Sequence, residues 1–149
     1  MSLRRTAALL VVFGSAIALP GAIASGQAAT VEVDVEGIEP VTSRLYVALC
    51  QGGLTETECR IGQDDPVRGT GQRVVFRGVQ PGVYAVAAFQ DVNGNGKLDR
   101  TGLGLPLEPY GFSGEVARRA RPEFESAAFA LREPGASLRV RLSRALPPR

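Results

Sequence analysis

Val31-Glu32-Val33-Asp34-Val35-Glu36 alternates apolar and acidic residues without a break. A β-strand sends successive side chains to opposite faces, so this stretch predicts a strand with its valines buried and its acids in water. The pattern recurs. Leu45, Val47 and Leu49 alternate with Arg44, Tyr46 and Ala48, and Arg73 to Val79 is a third apolar run ended by the turn signal Gln80-Pro81-Gly82. Val83 to Gln90 is small and apolar on both faces, which predicts a central strand, and Phe124 to Leu131 reads as a further strand. Leu138, Val140 and Leu142 then alternate with Arg139, Arg141 and Ser143. Glu115 to Arg121 could form a helical turn or two at most. Short strands between Gly and Pro turns predict an all-β chain, an antiparallel β-sandwich of about seven strands with one long Gly-rich loop. The first strand turns acids outward and the last turns arginines outward, so 31–36 and 138–144 are expected to be neighbours in one sheet. Two solvated faces that never meet are the alternative.

Ahead of these strands a leader is expected. Arg4 and Arg5 precede the uncharged run Ala7 to Leu19, and Ala22-Ile23-Ala24 fits a cleavage signal. Residues 1–24 are therefore expected to be a signal peptide, with the cut as late as 29. The run is short for a membrane span, so no span is expected in the mature chain. A single domain over 30–144 and a tail at 145–149 follow, in the periplasm or outside the cell. Loss of Arg4 and Arg5 leaves 15 Lys and Arg against 15 Asp and Glu. A neutral chain argues against a nucleic-acid partner. Cys50 and Cys59 are the only cysteines, and in an exported chain an even count reads as one disulfide. Closing so small a ring is worth roughly 2.5–3 kcal/mol by loop entropy.

Asp91-Val92-Asn93-Gly94-Asn95-Gly96-Lys97-Leu98-Asp99 carries the most specific chemistry. Oxygen-bearing side chains fall at loop positions 1, 3, 5 and 9, with Gly at 6 and an apolar residue at 8, which is the spacing of a calcium loop. Asp91, Asn93, Asn95 and Asp99 would supply side-chain oxygens and Lys97 its carbonyl. Position 12 is Gly102, where a helical calcium hand has a bidentate Glu, and Glu108 is the nearest carboxylate that could fold back. Few charges and no helical frame predict weak affinity, on the order of 10⁻⁴–10⁻³ M. Asx turns without metal need the same residue types. The whole stretch from Gln90 to Phe124 shows no clear strand, and a loop of that length needs something to order it.

Three blocks resemble one family. They are Gln80-Pro81-Gly82-Val83-Tyr84-Ala85-Val86, Phe89 to Asp99, and Gly104-Leu105-Pro106-Leu107-Glu108-Pro109-Tyr110-Gly111-Phe112-Ser113. They are similar to the signature of the bacterial domain of unknown function 2141, and Pro122 to Phe129 is similar to its next block. The resemblance implies an exported bacterial protein with a prealbumin-like or Ig-like sandwich, and it implies no activity. Gly114-Glu115 departs from the Asn-rich continuation that the family pattern has.

The chain has no His and no Trp. This removes Ser-His-Asp and Cys-His catalysis and the usual His-containing zinc sites. Asp91, Asp99 and Glu108 could in principle serve a carboxylate-dependent hydrolase, but nothing in the sequence sets their separation. Tyr84, Tyr110 and Phe112 are candidates for a pocket at the loop end, with core packing as the alternative. Arg118, Arg119 and Arg121 form a short basic cluster that could touch an anionic surface. The expectation is an exported binding or structural module, not an enzyme, with a calcium-ordered loop and a protein or envelope component as partner. A metal-free interaction module is the other non-enzymatic reading.

Overall fold

The computed structural model describes residues 28–114 and 122–146. The expected signal peptide, the turn expected at Glu115 to Arg121, the Arg118, Arg119 and Arg121 cluster and residues 147–149 of the tail lie outside the described residues. Eight strands and one helical turn follow in order. They are β1 (Ala29–Glu36), β2 (Arg44–Cys50), β3 (Ile61–Pro66), β4 (Gly71–Val79), β5 (Gly82–Asp91), β6 (Tyr110–Phe112), α1 (Phe124–Ala127), β7 (Phe129–Leu131) and β8 (Gly135–Arg141).

The strands form two sheets. One has the order β4-β1-β8, and the other has the order β3-β2-β5-β6 with β7 also paired to β5. The alternating residues face inward as their spacing requires. Val31, Val33 and Val35 of β1, Leu45, Val47 and Leu49 of β2, Phe76 of β4, Val86 of β5 and Val140 of β8 are all buried in one core between the sheets. This is a β-sandwich, the architecture that the alternation predicts.

β1 and β8 are neighbours, with Asp34 in register with Arg139 and Glu36 with Arg141. The pair is parallel, so the sheet is not antiparallel throughout as expected. The chain reaches β8 from the opposite sheet, and that crossover lets β8 run alongside β1 in the same direction. Arg73 of β4 completes the charged outer face from the other side. It forks onto Asp34 at 2.7 and 3.0 Å, while Arg139 meets Glu36 at 3.0 Å. The Arg73 guanidinium holds the Asp34 carboxyl below its ordinary pKa. These groups are exposed, so the ladder fixes register more than it adds stability.

Three further differences from the sequence reading have local causes. β3 carries Gln63, Asp64 and Asp65 and among the described residues pairs only with β2, so it is a polar edge strand without hydrophobic alternation. β6 lies inside the stretch that shows no strand pattern; it is three residues long and held by β5 on one edge and by Ser143 on the other. Phe124 to Leu131 is not one strand. Its first half is the turn α1 and only Phe129–Leu131 pairs with β5.

β5 is central. β2 covers one edge, and β6 and β7 share the other end to end. Ser113 bridges the gap between those two. Its buried hydroxyl accepts the Val86 N–H at 2.8 Å and donates to the Ala127 carbonyl at 2.6 Å, and its own N–H reaches the Val86 carbonyl at 2.9 Å. At the far end Gln90, fully buried, accepts the Glu39 N–H at 2.8 Å and donates to the Glu39 carbonyl and Ser43 Oγ at 2.9 and 2.8 Å. Cys50, at the end of β2, is bonded to Cys59 as the sequence predicts. Among the described residues no helix is long and apolar enough to cross a membrane.

Candidate functional site

The outer face of the five-stranded sheet is not a plain solvated surface. Register sets its outward residues in two rows across the strands. One row is Asp64, Tyr46, Phe89 and Tyr110, and the next is Gly62, Ala48, Ala87 and Phe112. In the first row Tyr46 and Phe89 stack with ring centroids 4.8 Å apart and planes 5° from parallel. In the second, three successive strands offer nothing larger than a methyl group until Phe112, which meets Tyr110 edge to face at 5.9 Å. A row of small residues beside a row of rings leaves a trench. The resulting cavity has a volume of about 570 Å³, within the range of small-molecule sites. This is why β5 is apolar on both faces: one face fills the core and the other floors the groove.

Two loops wall the groove. The disulfide loop contributes Leu54, Thr55 and Cys59. It is closed by the Gln51 N–H on the Glu58 carbonyl at 3.0 Å, and the Glu58 carboxylate accepts the Thr55 N–H and hydroxyl at 3.0 and 2.8 Å. Those bonds from Thr55, the backbone one first, hold the Glu58 carboxyl below its ordinary pKa. The second wall is the Gly-rich loop, which places Gly96, Lys97, Leu98 and Arg100 along the groove.

That second wall is framed by carboxylates. Asp91, fully buried at the end of β5, accepts the N–H groups of Gly94, Asn95 and Gly96 at 2.7, 3.2 and 2.7 Å. The backbone can wrap so tightly because Gly94 and Gly96 both sit at φ +76°, in the left-handed region. Asn93 and Asn95 make Asx turns, their Oδ1 atoms accepting the Asn95 and Lys97 N–H groups at 3.1 and 2.9 Å. Their amide nitrogens donate to Asp99 Oδ2 at 2.6 and 2.8 Å. Glu108, 5% exposed, does fold back on the loop, and it clasps the loop's two ends. Its Oε1 accepts the Val92 N–H at 2.9 Å and its Oε2 the Asp99 N–H at 3.3 Å.

The six residues considered for a metal are thus together in one loop structure. Asp91, Asn93, Asn95 and Glu108 spend their oxygens on the loop's own N–H groups, Asp99 receives two amides, and the exposed Lys97 borders the groove. Among the described residues no three His, Cys, Asp or Glu side chains are grouped to hold a metal. Of the pocket candidates, Tyr110 and Phe112 do line the groove. Tyr84 does not: it is buried on the inner face, donates its hydroxyl to the Gln80 carbonyl at 3.0 Å and packs against Phe129. Tyr46, Ala48, Ala87 and Phe89 were not singled out from sequence; their outward parity on β2 and β5 was the available signal.

No curated protein and no solved structure matches this chain. The model of one family matches residues 33–138, which span both sheets, the groove and its glycine-rich wall. The chain belongs to that family, domain of unknown function 2141 (DUF2141), described as uncharacterized protein conserved in bacteria.

Proposed function

We propose that this chain is an exported binding module, not an enzyme, and that it holds its ligand in the outer-face groove. The observation that carries the reading is the trench floored by Gly62, Ala48 and Ala87 beside the Tyr46–Phe89 stack. Apolar surface left concave and open on a small domain is a recurrent mark of a ligand site. Export is supported by the leader and by the Cys50–Cys59 bond, which suits an oxidising compartment. The non-catalytic reading is supported by the carboxylates. Asp91 and Glu108 are occupied by backbone N–H groups and neither borders the groove.

Nile red, a neutral apolar fluorophore, tests the reading. It should bind the mature domain at one site and lose that site in Ala87→Phe, whose ring fills the floor. Binding that is unchanged in a folded Ala87→Phe domain overturns the groove as the site.

The glycine-rich wall acts in this reading as a hydrogen-bonded frame that stands without metal. The calcium reading competes with it, on the spacing of Asp91, Asn93, Asn95 and Asp99. Calorimetric titration of the chelated domain separates the two. The frame predicts no saturable heat up to millimolar calcium and no change in Tm; a saturable heat lost in Asp99→Asn restores calcium.

A further inference from the structure

Resting on the groove reading, we infer that the ligand is a single-chain amphipathic anion, an acyl carboxylate lying along the row Gly62–Ala48–Ala87 with its head toward Lys97 and Arg100. The floor argues for one chain. The two outward rows are two residues apart along each strand, so their backbones are separated by about 7 Å. The rings of Tyr46 and Phe89 and the disulfide loop's Leu54 take up the flanks of that width. What remains suits an unbranched body crossing the strands rather than a broad, fused one. The trench runs from Gly62 on the edge strand and is closed at the β6 side by Phe112.

The charges argue for the head. Lys97 and Arg100 both border the cavity from the glycine-rich wall, and among the described residues neither forms a salt bridge with a carboxylate. Among the described residues the Arg100 side chain donates only to the Gly104 carbonyl, at 3.0 Å, and to no carboxylate. The acids of the lining are Asp64 and Glu56. Asp64 is neutralised by Arg44, which forms a salt bridge with it at 2.5 Å. Glu56 comes from the disulfide loop, the opposite wall. Among the groups that line the groove the charge therefore runs from one acid to two cations; the wall's carboxylates Asp91, Asp99 and Glu108 lie outside that lining and are taken up by backbone N–H and side-chain amide donors. That asymmetry orients an anionic head to the glycine-rich wall and disfavours a cationic one there.

Three ligands with the same tail test the inference below their micellar concentrations: dodecanoate, dodecanol and dodecyltrimethylammonium. The expected order of affinity is dodecanoate, then dodecanol, then the ammonium. Dodecanoate should lead dodecanol by roughly three- to tenfold, the scale of two exposed charge contacts, and its lead should shrink as salt is added. Lys97→Ala with Arg100→Ala should remove that lead, bringing dodecanoate to the affinity of dodecanol; both side chains are exposed, and circular dichroism checks folding. Ala87→Phe should abolish all three. Equal binding of the three ligands, or a lead that survives the double variant, overturns the anionic head and leaves the groove. Absence of binding by all three, with Nile red still bound and lost in Ala87→Phe, overturns the acyl ligand alone. Failure of Nile red as well overturns the groove itself.

Discussion

Tyr46 stacks on Phe89 across the β2–β5 pair, ring centroids 4.8 Å apart and planes 5° from parallel, on the outer face of the sheet. Both rings border the groove and neither belongs to the core between the sheets. Two large rings on an outer sheet face, only half buried, are explained by what they enclose. If they serve the groove, removing one should affect binding more than folding. Phe89→Ala is expected to cost about 1–2 kcal/mol of stability, the loss of a partly buried ring and its stacking. The same change should reduce Nile red affinity at least severalfold. Urea unfolding and fluorophore titration on one preparation check both. A double-mutant cycle with Tyr46→Ala should return a coupling of about 0.5–1.5 kcal/mol.

Asp91 offers a sharper prediction, because its carboxylate is the hub of the glycine-rich wall. Its carboxylate accepts three backbone N–H groups, and among the described residues no other side chain of the loop accepts more than two hydrogen bonds. Asp91→Ala removes both acceptor oxygens and with them all three hydrogen bonds, and leaves the N–H groups of Gly94, Asn95 and Gly96 to water. The expected cost is about 2–3 kcal/mol, below three full hydrogen-bond penalties because the loop itself is exposed. Amide hydrogen exchange should rise at residues 94–96 first. A chelator should not reproduce the effect in the wild-type chain. A wild-type domain that loses a comparable stability to chelator alone would move the frame's stability from hydrogen bonds to a cation.

How much of this was legible in the sequence depended on whether the deciding contacts were local. Val31 to Glu36 announces its strand because period-two alternation is written into consecutive residues. The outward acids and arginines even placed β1 beside β8. Their direction was not readable, because parallel and antiparallel neighbours present the same faces. β3 was silent because an edge strand facing water needs no hydrophobic pattern. The loop was readable as oxygen-bearing residues at turn spacing, but not what those oxygens meet. Asp91 reaches N–H groups three to five residues on, while Glu108 bonds 9 and 16 residues back. The groove was the least legible feature. Gly62, Ala48, Ala87 and Phe112 come from four strands, and only register sets them in one row.

Acid should loosen the end of the sandwich that Glu39 holds. Arg144 forks onto Glu39 at 2.5 and 2.7 Å and also donates to the Leu107 carbonyl at 2.8 Å, next to Glu108. The hydrogen bond from Arg144 holds the Glu39 carboxyl below its ordinary 4.5. A carboxyl whose folded pKa is depressed stabilises fully above its unfolded value and loses that contribution as pH falls through the folded one. Stability should therefore be flat above about pH 4.5 in respect of this pair and fall below it. Glu39 is 36% exposed at its side chain, so the loss is at most about 1 kcal/mol. Urea midpoints between pH 6 and 3 should show a shallower acid limb in Glu39→Gln than in the wild-type chain. Parallel limbs would remove the pair from the pH dependence.

The Cys50–Cys59 bond separates stability from site geometry. It closes a loop whose Leu54 and Thr55 wall the groove, and Cys50 itself is fully buried at the end of β2. Loop entropy assigns it roughly 2.5–3 kcal/mol, and the core between the sheets does not run through it. Cys50→Ala with Cys59→Ala should thus fold, with a lower urea midpoint by about that amount. The disulfide loop keeps the Glu58–Thr55 bonds without its covalent closure, so its wall should loosen rather than vanish. Nile red affinity is expected to fall while Ala87→Phe still abolishes what remains. Reduction of the wild-type domain should give the same midpoint and the same weakened binding. If reduction lowers the midpoint and leaves affinity intact, the loop Gln51 to Glu58 is a staple only and the ligand is held by the sheet and the glycine-rich wall.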